Sequence, residues 1–213
     1  MSRITPEPGA WTRALFIVAA LICAAITVAS PAHAAPKSKP DPVTHVYFIR
    51  GFLNVFSTGF DDMAKKLGAR GVKAAVYGHL SGASVRSRIL ADVKTTGRKP
   101  NPVIIVGHSF GGNAAFAVAK SLAADGVAVD LVITVDPTHA GPLSPNVKRY
   151  VNYYFPANGL GAAIPGGGKR VRNVDLKARA DVAGVGDDHW TVTTNAALTK
   201  EILSTILRQL GRR

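Results

Sequence analysis

A three-layer α/β architecture, with a mostly parallel sheet of about six strands and helices on both faces, is predicted by three features of the sequence. Apolar runs such as Val103-Ile104-Ile105-Val106 and Leu131-Val132-Ile133 do not alternate with polar residues, as strands covered on both faces require. Stretches with apolar residues at helical spacing separate these runs, so strand and helix take turns along the chain. No internal repeat and no second composition class interrupts residues 44–213, which therefore read as one domain without a large cap.

The first strand is His45-Val-Tyr-Phe-Ile-Arg50, stopped by Gly51. Ser57 or Thr58 is placed to cap a helix whose apolar face is Phe60, Met63, Ala64 and Leu67, with Gly68 and Gly71 at its end. A short strand over Lys73 to Tyr77 follows. Val85, Ile89 and Val93 recur every four residues through Ser84 to Thr95, giving a second helix that Gly97 closes. Pro102 opens the buried strand to Val106, and Ala114 to Ala124 forms a helix of small residues ending at Asp125-Gly126. Leu131 to Val135 is a strand ending at Asp136-Pro137. Val147 to Phe155 and Val171 to Leu176 read as two more, joined by a Gly-rich loop, and the last helix runs from about Val192 to Leu210. Right-handed crossovers between parallel strands then set the layering.

The N-terminus reads as an export signal. Arg3 and Arg13 flank a short polar start, Ala14 to Ala29 is almost wholly apolar, and Ala32-His33-Ala34 fits the small-residue cleavage rule. The apolar stretch is shorter than the ~20 residues that a bilayer-spanning helix needs. Residues 1–34 are therefore expected to be a cleaved signal peptide and 35–43 a flexible leader, which puts the protein in the periplasm or outside the cell. The single cysteine, Cys23, lies within the signal, so no disulfide, thiol nucleophile or thiolate metal site is expected in the mature chain. A formal net charge of +13 favours general attraction to anionic envelope components. The basic residues are spread along the chain and no nucleic-acid-binding motif interleaves them, so nucleic acid is not expected as a partner.

Gly107-His108-Ser109-Phe110-Gly111 carries the chemistry. A Gly-x-Ser-x-Gly between a buried strand and a helix of small residues is the pattern of a nucleophile elbow, in which the serine takes a strained backbone at the strand end. Gly78-His79-Leu80-Ser81-Gly82 is a decoy: its serine is one place late and no long apolar strand leads into it.

With these residues in place, the chain over about 44–210 resembles a small α/β-hydrolase, similar in size and layout to lidless lipases and esterases. The domain would start at what that family counts as its third strand. The resemblance implies a triad in the order nucleophile, acid, histidine. Ser109 is then the nucleophile. Asp136, directly after the next buried strand, is the leading acid, with Asp175 at the end of the last strand as the alternative. His189, in Gly186-Asp-Asp-His-Trp190 before the terminal helix, is the base, since His139 follows Asp136 too closely and the other histidines precede Ser109. Oxyanion donors are expected from the backbone N–H of Phe110 and of Phe52 or Leu53, in a loop where lipases usually carry His-Gly and this chain has Arg50-Gly51.

Phe52, Leu53, Phe56, Phe110, Leu143 and Trp190 flank the site in sequence and suggest an acyl or aryl pocket, with Phe155 to Arg170 as a mobile flap. The expected activity is hydrolysis of carboxylic esters or thioesters by a monomer, without metal or organic cofactor. The alternative is a non-catalytic protein of the same fold that binds anionic lipid or polysaccharide through its basic surface.

Overall fold

The computed structural model describes residues 43–94, 101–156 and 160–212. The expected signal peptide, nearly all of the leader and the helix-closing Gly97 lie outside them.

Six parallel strands form one sheet: β1 (Val46–Ile49), β2 (Ala74–Tyr77), β3 (Ile104–His108), β4 (Leu131–Val135), β5 (Tyr150–Tyr154) and β6 (Val171–Asp175). Their spatial order is β2-β1-β3-β4-β5-β6, so β3 sits inside the sheet between β1 and β4. Four α-helices accompany them among the described residues: α1 (Gly59–Gly68), α2 (Gly82–Lys94), α3 (Phe110–Ala124) and α4 (Ala196–Gln209).

The inner strands β1, β3 and β4 do not alternate in burial because both of their faces are dry. On one face Val46, Phe48, Val106 and Ile133 pack with Phe60, Met63 and Leu67 of α1 and Leu198, Ile202 and Ile206 of α4. On the other, Tyr47, Ile49, Ile105 and Val132 meet Val85 and Ile89 of α2 and Phe116, Ala119 and Leu122 of α3. The result is the three-layer sandwich that the sequence predicts.

Several boundaries move. The helix after β3 starts at Phe110, not Ala114, because the elbow runs straight into it. The strand expected from Val147 is shorter; Val147 makes only an isolated bridge to Val129. The terminal helix is preceded by a separate 3-10 turn at Val192–Thr194, and Asn195 caps α4 by accepting from the Leu198 N–H at 2.8 Å. Neither expected cap of α1 acts as one: Thr58 makes no side-chain cap bond, and the Ser57 hydroxyl is turned inward to Gly51 and His108.

Candidate active site

Ser109 ends β3 with φ 55° and ψ −125°, outside the ordinary regions for a residue with a side chain. The turn is held by close backbone approach. A Cβ on Gly107 would lie 2.2 Å from the Gly111 carbonyl oxygen, and one on Gly111 would lie 2.1 Å from that of Ile49. Only glycine at both positions lets the strand reverse into α3 against β1.

Asp136 leaves the neighbouring strand β4 and also has a left-handed backbone, φ 45°. It is fully buried, and its Oδ1 accepts the Phe155 N–H at 2.9 Å. Its Oδ2 lies 2.6 Å from His189 Nδ1, while His189 Nε2 lies 3.0 Å from Ser109 Oγ. A carboxylate only accepts, so Nδ1 carries the proton and donates to Asp136; Nε2 is then left to accept from the serine hydroxyl.

A buried serine at the turn after β3, an acid after β4 and a histidine ahead of the last helix, on a sheet ordered β2-β1-β3-β4-β5-β6, define one architecture. The chain has the α/β-hydrolase fold.

Within this α/β-hydrolase domain the alternative acid is elsewhere. Asp175 accepts from the Lys177 N–H at 2.8 Å and the Ala178 N–H at 3.3 Å, closing the turn after β6. His139 lies on an exposed loop where its N–H donates to Asn113 Oδ1. The loop after β1 reaches Ser109: a Cβ on Gly51 would be 3.1 Å from Ser109 Cβ. Phe52 and Leu53 follow in a 3-10 turn in which Leu53 has φ 56°, while Phe110 opens α3, where the Gly112 and Asn113 N–H groups turn back to the Ser109 carbonyl. Arg50, at the position where lipases carry histidine, turns away to pair with Asp61 of α1.

Phe52, Leu53, Phe56, Phe110 and Trp190 are exposed. The Phe52 and Phe110 rings are 5.9 Å apart, and Trp190 packs on Phe56 at 4.7 Å and on His189 at 4.9 Å. Leu143 is not among them; it packs on the α2–α3 side of the core, with its Cδ1 against Gly167. The described part of the expected flap is tied down rather than free. Asn152 donates to the Ala162 carbonyl at 2.9 Å, and Asn173 bonds both the N–H and the carbonyl of Ile164.

Three further residues shape the site without an obvious signature in the sequence. Gly161 lies against Asp136, where a Cβ would come 1.7 Å from Oδ1, and no local pattern announces it. His108 is buried behind Ser109 with Nε2 2.9 Å from the His189 carbonyl oxygen and Nδ1 2.8 Å from Ser57 Oγ. The only signal for His108 is its place inside the pentapeptide; for Ser57 it is a hydroxyl one residue too early for a cap. Among the described residues no group of three or more His, Cys, Asp or Glu could hold a metal ion.

No family model matches the chain, and no curated protein matches it significantly. Among solved structures it is similar to an esterase domain from a Rhodothermus marinus protein, at 16% identity over 81% of this chain and 89% of that one, with a TM-score of 0.49. It is also similar to YbtT, a type II thioesterase from the yersiniabactin NRPS/PKS biosynthetic pathway, at 10% identity over 80% of this chain and 96% of that one, with a TM-score of 0.44.

Proposed function

We propose that this protein is an exported serine hydrolase that cleaves carboxylic esters or thioesters through an acyl-enzyme. The observation that carries the reading is the continuous hydrogen-bonded line from Ser109 through His189 to Asp136. His189 Nε2 takes the hydroxyl proton as Ser109 Oγ attacks the carbonyl carbon, Asp136 holds the tautomer and stabilises the imidazolium, and the same proton is returned to the leaving group. Water then repeats the attack on the acyl-enzyme. The Phe110 N–H and one from Phe52 or Leu53 stabilise the oxyanion; each such donor contributes about 3 kcal/mol to the transition state. The exposed aromatic rim favours an apolar acyl or aryl group over a highly polar one. So does a groove of about 680 Å³ between α2 and α3, lined in part by Phe110, Leu80, Ala114, Ala117 and Val118.

Fluorophosphonate labelling of the purified protein tests this. Wild type labels at Ser109 and hydrolyses p-nitrophenyl acetate; an unlabelled wild type, or equal labelling of Ser109→Ala, overturns the reading. N-terminal sequencing of protein recovered from an exporting host tests the signal, with Ala35 expected as the first residue.

The second reading, adhesion to anionic envelope polymers, is favoured by one observation. A groove of about 600 Å³ between α1 and α4 is lined by Lys66, Arg70, Lys200, Arg208 and Arg212 with no acidic residue. In this reading the fold is kept without catalysis; a wild type that is not held on an anionic polysaccharide resin, or whose retention does not weaken with salt, excludes it.

A further inference from the structure

His108 and Ser57 are buried polar side chains that the proposed chemistry does not use. Their proton arrangement follows from the atoms around them. The His189 carbonyl oxygen has only lone pairs, so His108 Nε2, 2.9 Å away, carries a proton and donates to it. Burial, with His189 beside it, pushes the His108 pKa down to about 4, so the ring is neutral and Nδ1 presents a lone pair. The Ser57 hydroxyl, 2.8 Å from Nδ1, therefore donates to it. The Ser57 oxygen in turn accepts the Gly51 N–H at 2.9 Å. Ser57 and His108 each accept one bond and donate one, so the three bonds run in the same direction, from the Gly51 N–H to the His189 carbonyl.

The two ends of that line are what make it more than a satisfied core. One end is the backbone of the histidine that touches Ser109. The other is the glycine whose Cα faces Ser109 and which leads into Phe52 and Leu53. We infer that His108 and Ser57 are positioning residues: through Gly51 N–H and the His189 carbonyl they hold the oxyanion loop and the catalytic histidine in one register on either side of the nucleophile. This rests on the serine-hydrolase reading. Neither residue touches substrate, and both act through the backbone of those that do.

A separate contact keeps the two segments together when the line is cut. A Cβ on Gly59 would fall 1.8 Å from the Thr193 carbonyl oxygen, and Thr193 Oγ1 donates to the Phe56 carbonyl at 3.2 Å. Variants at 57 and 108 are therefore expected to fold with the loop and the histidine close but loosely aligned.

Ser57→Ala and His108→Gln separate alignment from folding when rates are expressed per active site titrated with fluorophosphonate. With p-nitrophenyl acetate, kcat per titrated site is expected to fall about tenfold to a hundredfold while KM changes less than about threefold, the signature of lost transition-state alignment. Affinity for a trifluoromethyl ketone, which presents a tetrahedral oxyanion, should fall by the same factor as kcat/KM. The double variant should be no slower than the slower single one, since both cut the same line. A purely structural role would lower the melting temperature and the titratable fraction, with kcat per site unchanged in both variants; that result overturns the inference. If His108→Gln does not fold, Ser57→Ala, one oxygen smaller, decides by the same measure. A wild type that turns over no ester overturns the hydrolase reading first and this inference with it, before any variant is compared.

Discussion

Asp136 shows how far a single backbone angle carries the site. Its positive φ turns the chain away from β4 so that the carboxylate reaches His189 Nδ1 at 2.6 Å, while Pro137 is buried against Gly112 of α3. Replacing it with asparagine presents an amide that can donate where only an acceptor holds the correct tautomer. On the proposed reading, Asp136→Asn is therefore expected to lower kcat by roughly four orders of magnitude, the loss that serine triads show when the acid becomes an amide. Asp175→Asn, which touches only the turn after β6, should leave kcat within about twofold; both are read by steady-state kinetics on one ester. Gly161→Ala provides a finer test. Its methyl would overlap Asp136 Oδ1, so either the loop or the carboxylate must move, and kcat should drop at least about tenfold with labelling by fluorophosphonate slowed in parallel.

At the scale of elements, the histidine is delivered by a long irregular segment rather than by a strand or helix, and polar clamps hold that segment. Arg179 pairs with Asp181 within it and with Glu201 of α4, whose other oxygen receives the Tyr153 hydroxyl. Asn195 caps α4 and with its amide donates to the Asp181 carbonyl at 2.8 Å and to Asp187 at 2.7 Å, two residues before His189. Asn195→Ala should thus destabilise the fold by about 1–2 kcal/mol and also lower kcat, because the cap and the histidine loop share one side chain. Ile202→Ala, buried in the same helix but remote from the loop, should cost about 3 kcal/mol and leave kcat unchanged in the fraction that stays folded. Denaturant melts paired with active-site titration separate the two.

For the whole molecule, acid stability follows from buried histidine. His108 has a folded pKa of about 4 against an ordinary value of 6.5, and burial, helped by Arg212, lowers that of His45 as well. A histidine held neutral in the folded state binds its proton more readily when unfolded. Stability is therefore intact above about pH 6.5 and is lost as pH falls towards 4, with His108 contributing on the order of 3 kcal/mol across that window. His108→Gln should flatten this acid limb, seen as a smaller fall in melting temperature between about pH 7 and about pH 4.5 than in wild type.

The resemblance to α/β-hydrolases supplied the order serine, acid, histidine; the sequence by itself determined the layers, the number of strands and the elbow. These are local matters: periodicity, strand ends and glycine spacing are written within a few residues of each other. Only the tertiary structure decided which acid meets His189, because Asp136 and Asp175 both end parallel strands and differ only in whether that strand lies next to β3. It also decided that Ser57 faces His108 instead of capping α1, that Leu143 packs half-buried against the core, and that the loop before Arg170 is pinned by Asn152 and Asn173. Each of those depends on a partner about 10 to 50 residues away, and no local pattern encodes where a distant carbonyl or ring will stand once the sheet has closed over it.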